Sequence, residues 1–123
     1  MTPAELIRRL RAAPETLTFA GVLAVIDAHY HYTPTAFANG LGEDCVHNPA
    51  GVNEGSCRVL AFARRQRLDE AETLALFAEH HRKVLENPEG SDHANIRAFR
   101  RHGWRGVCFE GEPLTPKNPG RHD

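Results

Sequence analysis

Apolar residues recur along much of this chain at intervals of three and four, the spacing that lines one face of a helix. Leu6, Ile7 and Leu10 form the first such face. They follow Thr2-Pro3-Ala4-Glu5, in which a capping threonine, a first-turn proline and a glutamate three residues on mark a helix start. That helix is predicted to end near Pro14. A second begins at Thr18 and carries Phe19, Val22, Leu23, Ile26 and Tyr30 on one stripe. It stops before Thr33-Pro34, because the residue ahead of a proline resists helical geometry.

The pattern then fails. From Thr35 to Gly55 no period is sustained, and Gly40, Gly42, Pro49, Gly51 and Gly55 punctuate the chain, which predicts a long loop with one short helical turn near Phe37. Structureless loops beyond about 12–15 residues are uncommon in small domains and are often functional. Periodicity returns at Ser56. The run Cys57 to Ala63 is apolar nearly all round, and a buried helix reaching Leu68 is preferred over a strand. Asp69-Glu70-Ala71-Glu72 opens another helix, with Leu74, Phe77, Ala78, His81 and Leu85 as its buried stripe and Asn87-Pro88 as its end. Ser91 is expected to cap a helix carrying Ile96 and Phe99, closed by Gly103 in a left-handed conformation. Trp104 to Phe109 is short and extended in character.

These elements predict a mostly α protein, a compact single domain of about five helices with the irregular loop packed on one side. The domain is expected to span residues 1–110, with a flexible C-terminal tail over 111–123. Apolar residues at 41% and charged residues at 25% are ordinary for a globular protein, and a net charge of -1 gives no reason to expect nucleic acid or a membrane as partner. The arginines at Arg64, Arg65 and Arg67 and from Arg97 to Arg105 are read as solvated helix faces. Cys45, Cys57 and Cys108 are an odd set, which points to reduced thiols and a cytoplasmic site of synthesis rather than a disulfide scaffold. No cofactor motif is present, and no apolar run is long enough to span a bilayer.

Several segments carry a resemblance. Tyr30 to Gly40, Asn53-Glu54-Gly55-Ser56-Cys57, Glu72 to Phe77, Asp92-His93-Ala94-Asn95-Ile96-Arg97 and Gly103-Trp104 resemble, in that order, the HopJ type III effector family. The resemblance runs from about Phe19 to Leu114. The family is named for members that plant-pathogenic bacteria inject into host cells through a type III secretion apparatus, so secretion into a host is the destination it implies. It carries over no catalytic activity. Where this chain has His80-His81-Arg82, similar sequences tend to carry tyrosines before the arginine, which favours His81 as a partly buried packing residue over a metal ligand.

Candidate chemistry gathers in two polar segments, the Asn39–Cys57 loop and Asp92–Arg97. A protein partner or small ligand is expected to bind there through Tyr32, Asn39, Asn53, Glu54, Ser56, Asn95 and Arg97. A second reading is a cysteine hydrolase or acyl transferase. If Gly55-Ser56 leads into a helix, Cys57 sits at its amino end, where the dipole favours thiolate, and His93 with Asp92 would serve as base and orienting acid. A third is a metal-stabilised domain using Cys45, His47, Cys57 and His93, although no short-spaced ligand motif fixes their convergence. The same polar residues also have a structural explanation. Asn53 or Glu54 would cap the helix that follows, Asn95 would tie the loop down, Arg97 would pair with Glu54, and Asp27 with His31.

Overall fold

The computed structural model describes residues 1–118. Six α-helices form the bulk of it: α1 (Pro3–Ala12), α2 (Phe19–His29), α3 (Glu54–Arg65), α4 (Glu70–Leu76), α5 (Glu79–Glu86) and α6 (Ala94–His102). Five strands of two or three residues lie between and after them: β1 (Tyr30–Tyr32), β2 (Phe37–Asn39), β3 (Val46–Asn48), β4 (Cys108–Phe109) and β5 (Leu114–Pro116). The protein is mostly α.

Its centre is α3. Val59, Leu60, Ala61, Phe62 and Ala63 are buried in an unbroken run, as a helix packed on all sides requires. Leu6 from α1, Ile26 from α2, Leu76 from α4, Val84 from α5 and Phe99 from α6 complete the core around it. Burying one such side chain is worth roughly 1.5–3 kcal/mol, so the core rather than any single bond holds the fold.

The segment read as an irregular loop is largely ordered backbone. β2 pairs antiparallel with β3, Phe37 opposite Asn48, and with β4, Phe37 opposite Phe109. Strands this short hold too few residues to show an alternation of period two. Gly40 and Gly106 seal the arrangement: the Gly40 N–H donates to the Gly106 carbonyl at 3.0 Å, and a Cβ on Gly106 would meet the Gly40 nitrogen at 2.7 Å. The expected tail is also part-structured. β5 pairs antiparallel with β1, Tyr32 opposite Leu114, and Leu114 is fully buried. Residues 119–123 of that tail lie outside the described residues.

Three further expectations change. The second helix ends at His29 and passes directly into β1, so Asp27 and His31 do not share a helix face; Asp27 instead meets Arg58 at 2.9 Å. The helix expected from Asp69 to Asn87 is broken at Ala78, whose φ of 52° is left-handed, and Leu85 is consequently turned out to solvent. The last helix starts at Ala94 rather than Ser91 and ends, as expected, at Gly103 with φ 62°.

Candidate functional site

The break at Ala78 redirects the first turn of α5. The Glu79 carboxylate accepts the Phe19 N–H at 2.8 Å, and the His80 ring comes edge-on to Phe19 with 4.6 Å between centroids. His80 also lies 4.8 Å, centroid to centroid, from His93 at the start of α6. The two rings, with Phe19 and Phe77 behind them, wall a cavity of about 210 Å³ whose opposite side is formed by Asn53, Ser56 and the residues 94–96. The loop-to-helix segment and the Asp92–Arg97 segment therefore do meet, at the starts of α3 and α6.

Both of those helix starts are unusual. The residue ahead of each, Asn53 and His93, is left-handed, with φ of 55° and 52°, and neither side chain caps its helix. An ordinary N-cap is extended and accepts a first-turn N–H through its side chain. Here the N–H groups of Glu54, Gly55, Ser56, Ala94 and Asn95 have no protein acceptor among the described residues. Each helix start carries the positive end of a dipole.

A buried amide network fixes the two starts relative to each other. Asn48 and Asn95 exchange hydrogen bonds, Asn95 Nδ2 donating to Asn48 Oδ1 at 2.9 Å and Asn48 Nδ2 to Asn95 Oδ1 at 3.1 Å. Asn53 Nδ2 donates to Asn48 Oδ1 at 2.7 Å, and Asn39 Nδ2 to the Asn95 carbonyl at 2.8 Å. Asn53 thus spends its amide on β3 instead of capping α3. Asn95 ties the loop down as expected, and Asn39, wholly buried, belongs to this scaffold and not to a contact surface.

Arg97 is likewise a scaffold residue. It does not pair with Glu54. Its guanidinium donates to the carbonyls of Asn87 at 2.9 Å and Asp92 at 2.5 Å and to Asp92 Oδ1 at 2.6 Å, clamping the turn before α6. That contact holds the Asp92 carboxyl below the usual range and leaves it 3.9 Å from His93 Nε2, too far to orient the ring. Burial, then the neighbouring His93, pushes His80 down, so it is neutral near pH 7, and its Nδ1 is buried with no partner among the described residues.

Tyr32, Glu54 and Cys57 form a separate cluster. Arg58 lies over the Tyr32 ring, 3.9 Å from guanidinium carbon to centroid, and the Tyr32 hydroxyl is pushed upward by burial and by the Glu54 carboxylate. Cys57 lies one turn inside α3 and not at its amino end. It is 1% exposed, its Sγ directed at the Thr35 carbonyl at 3.7 Å. Burial pushes its thiol up to about 11, the opposite of the direction that activates a nucleophile. His93 faces the cavity, which Cys57 does not line. Nor do Cys45, His47, Cys57 and His93 converge: among the described residues no three His, Cys, Asp or Glu side chains are placed to hold a metal ion.

His80, Phe19 and Phe77 were missing from the residues read as a site. Helical arithmetic puts His81 on the buried stripe, and only the break at Ala78 brings His80 to the cavity. His81 is half-buried, and burial lowers its pKa before Arg100 and Arg82 add to the effect.

No curated protein matches the chain. A crystal structure of a protein of unknown function, VPA0580, superposes with a TM-score of 0.87 at 41% sequence identity, over 93% of this chain and 92% of that one. No helix among the described residues is long and apolar enough to cross a membrane. The family model described as HopJ type III effector protein matches residues 3–114, and the chain belongs to that family.

Proposed function

We propose that this HopJ family protein binds a small anion, or the phosphate or carboxylate head of a larger ligand, in the cavity between the starts of α3 and α6. One observation carries the reading: the starts of two helices, each without a side-chain cap, border one polar cavity, and the N–H groups of Ser56, Ala94 and Asn95, which line it, have no protein acceptor among the described residues. Ser56 adds a hydroxyl there, and an anion would draw a proton onto His80. Asp92 is held by Arg97 and Glu79 by the Phe19 N–H, while Glu54, in the first turn of α3, lies beside Tyr32 and does not line the cavity. At about 210 Å³ the cavity holds a head group and not a whole drug-sized molecule, which usually takes roughly 300–1,000 Å³. Delivery through a type III apparatus, the property in the family's description, belongs to the same reading and makes the bound molecule one met in a host cell.

Titration with inorganic phosphate, followed by amide resonances, tests the site. Saturable shifts of Glu54, Gly55, Ser56, Ala94 and Asn95 are expected, absent with chloride at equal ionic strength. Uniform small shifts with both salts would remove the proposal.

A further inference from the structure

A different and larger cleft, about 370 Å³, lies on the other end of α3, lined by Arg64, Arg67, Leu68, Trp104 and Val107. One side is apolar: the Trp104 indole packs edge-to-face with Phe99, 5.0 Å between centroids, and is anchored by Nε1 donating to the Leu68 carbonyl at 3.1 Å. The other side is cationic. Arg65, next to Arg64, has Glu112 at 3.6 Å, whereas Arg64 and Arg67 have no carboxylate partner among the described residues. The Glu70 carboxylate accepts the Trp104 backbone N–H at 3.0 Å.

The backbone at Arg67 adds an independent observation. The end of α3 closes as a Schellman turn, Leu68 N–H to Ala63 carbonyl at 3.0 Å and Arg67 N–H to Arg64 carbonyl at 3.1 Å. The residue in the left-handed position of such a turn is usually glycine, yet here it is Arg67, with φ 56°. Arg67 thus carries a side chain where the backbone disfavours one, and it lines the cleft.

We propose that this cleft is a second binding site, for an aromatic anion: a flat apolar body seated against Trp104, Leu68 and Val107, with a phosphate, sulfonate or carboxylate held by Arg64 and Arg67. Its volume falls inside the range of roughly 300–1,000 Å³ typical of small-molecule sites, and guanidinium forks suit such head groups. The site is independent of the cavity at the starts of α3 and α6.

Trp104 is the single tryptophan of the chain, so its indole N–H gives one unambiguous resonance. The probes are 1-anilinonaphthalene-8-sulfonate and N-phenyl-1-naphthylamine, the same ring system without the sulfonate. The expected result is a saturable shift of the indole resonance with the sulfonate, at least about tenfold tighter than with the neutral amine, since two charge-assisted contacts separate them. R64Q/R67Q should erase that difference. R67G should raise the melting temperature by a few degrees, by relieving the left-handed arginine, and still weaken the sulfonate about fivefold. Equal affinity for the two dyes, an unmoved indole resonance, or full sulfonate affinity in R64Q/R67Q would each overturn the proposal.

Discussion

The starts of α1 and α4 and the starts of α3 and α6 solve one problem in opposite ways. α1 and α4 begin with complete capping boxes, Thr2 with Glu5 and Asp69 with Glu72, in which side chain and backbone satisfy each other reciprocally. Both are on the surface, and neither borders the cavity. α3 and α6 begin at left-handed residues whose side chains point elsewhere, leaving first-turn donors unbonded. The first pair is built for stability alone. The second gives some of that up where, among the described residues, two helix starts border a common space, which is how a binding site differs from a well-terminated helix.

The comparison breaks most completely at Asn95, which holds the α6 start to β2 and β3. Asn95→Ala removes three side-chain bonds, one from Asn39 Nδ2 to Asn95 Oδ1 and two exchanged with Asn48, while both partners keep backbone contacts, so a loss of about 2 kcal/mol is expected in urea unfolding. A loss under about 1 kcal/mol would mean that the network is not what positions the two helices.

The two kinds of start should then respond oppositely to substitution. Asp69→Ala is expected to cost about 1 kcal/mol and leave phosphate binding untouched. His93→Gly relieves a left-handed side chain, so it should gain up to about 1 kcal/mol while weakening phosphate several-fold. Parallel melting and phosphate titrations of both variants decide the point. If both lose stability and neither alters binding, the distinction drawn between the starts is empty.

The smallest effect is a pH dependence. His80 and His81 both titrate below 6.5 in the folded protein, so between their folded values and 6.5 the unfolded chain binds more protons. Stability contributed by these neutral rings is therefore present above pH 6.5 and declines as pH falls through that window. Sulfate, whose charge is constant over this interval and which favours a charged His80, should bind more tightly as pH falls through it. Melting temperatures from pH 7.5 to 5.5 should fall less for H80Y/H81Y than for the parent; an equal fall would assign the acid sensitivity to other groups.

Legibility in the sequence follows the range of the interactions. Thr2 with Glu5, Asp69 with Glu72 and the terminating Gly103 are local devices, and each helix end they predict is present. Family membership and the two polar segments that meet at the cavity were legible as well. The break at Ala78 was not, because alanine carries no signal for φ of 52°; it is imposed by burial of Phe77 and by Glu79 reaching Phe19 in another helix. That one unsignalled residue moves the site histidine from position 81 to position 80. Arg97 and Cys57 erred in the same way: a polar or reactive residue type says what a side chain can do, whereas burial and partners fix what it does.

The pairing of β1 with β5 has a consequence for how the molecule assembles. It joins residues 82 positions apart in sequence (114 − 32), across a ladder only three residues long. Closing so long a loop is entropically unfavourable, and so few backbone bonds cannot offset it alone. The compensation comes from burying Leu114 against a core that the helices must already have formed. The ladder is thus a clasp rather than a nucleus: it closes on a finished bundle, and it is the first thing a chain pulled from its C-terminal side would release.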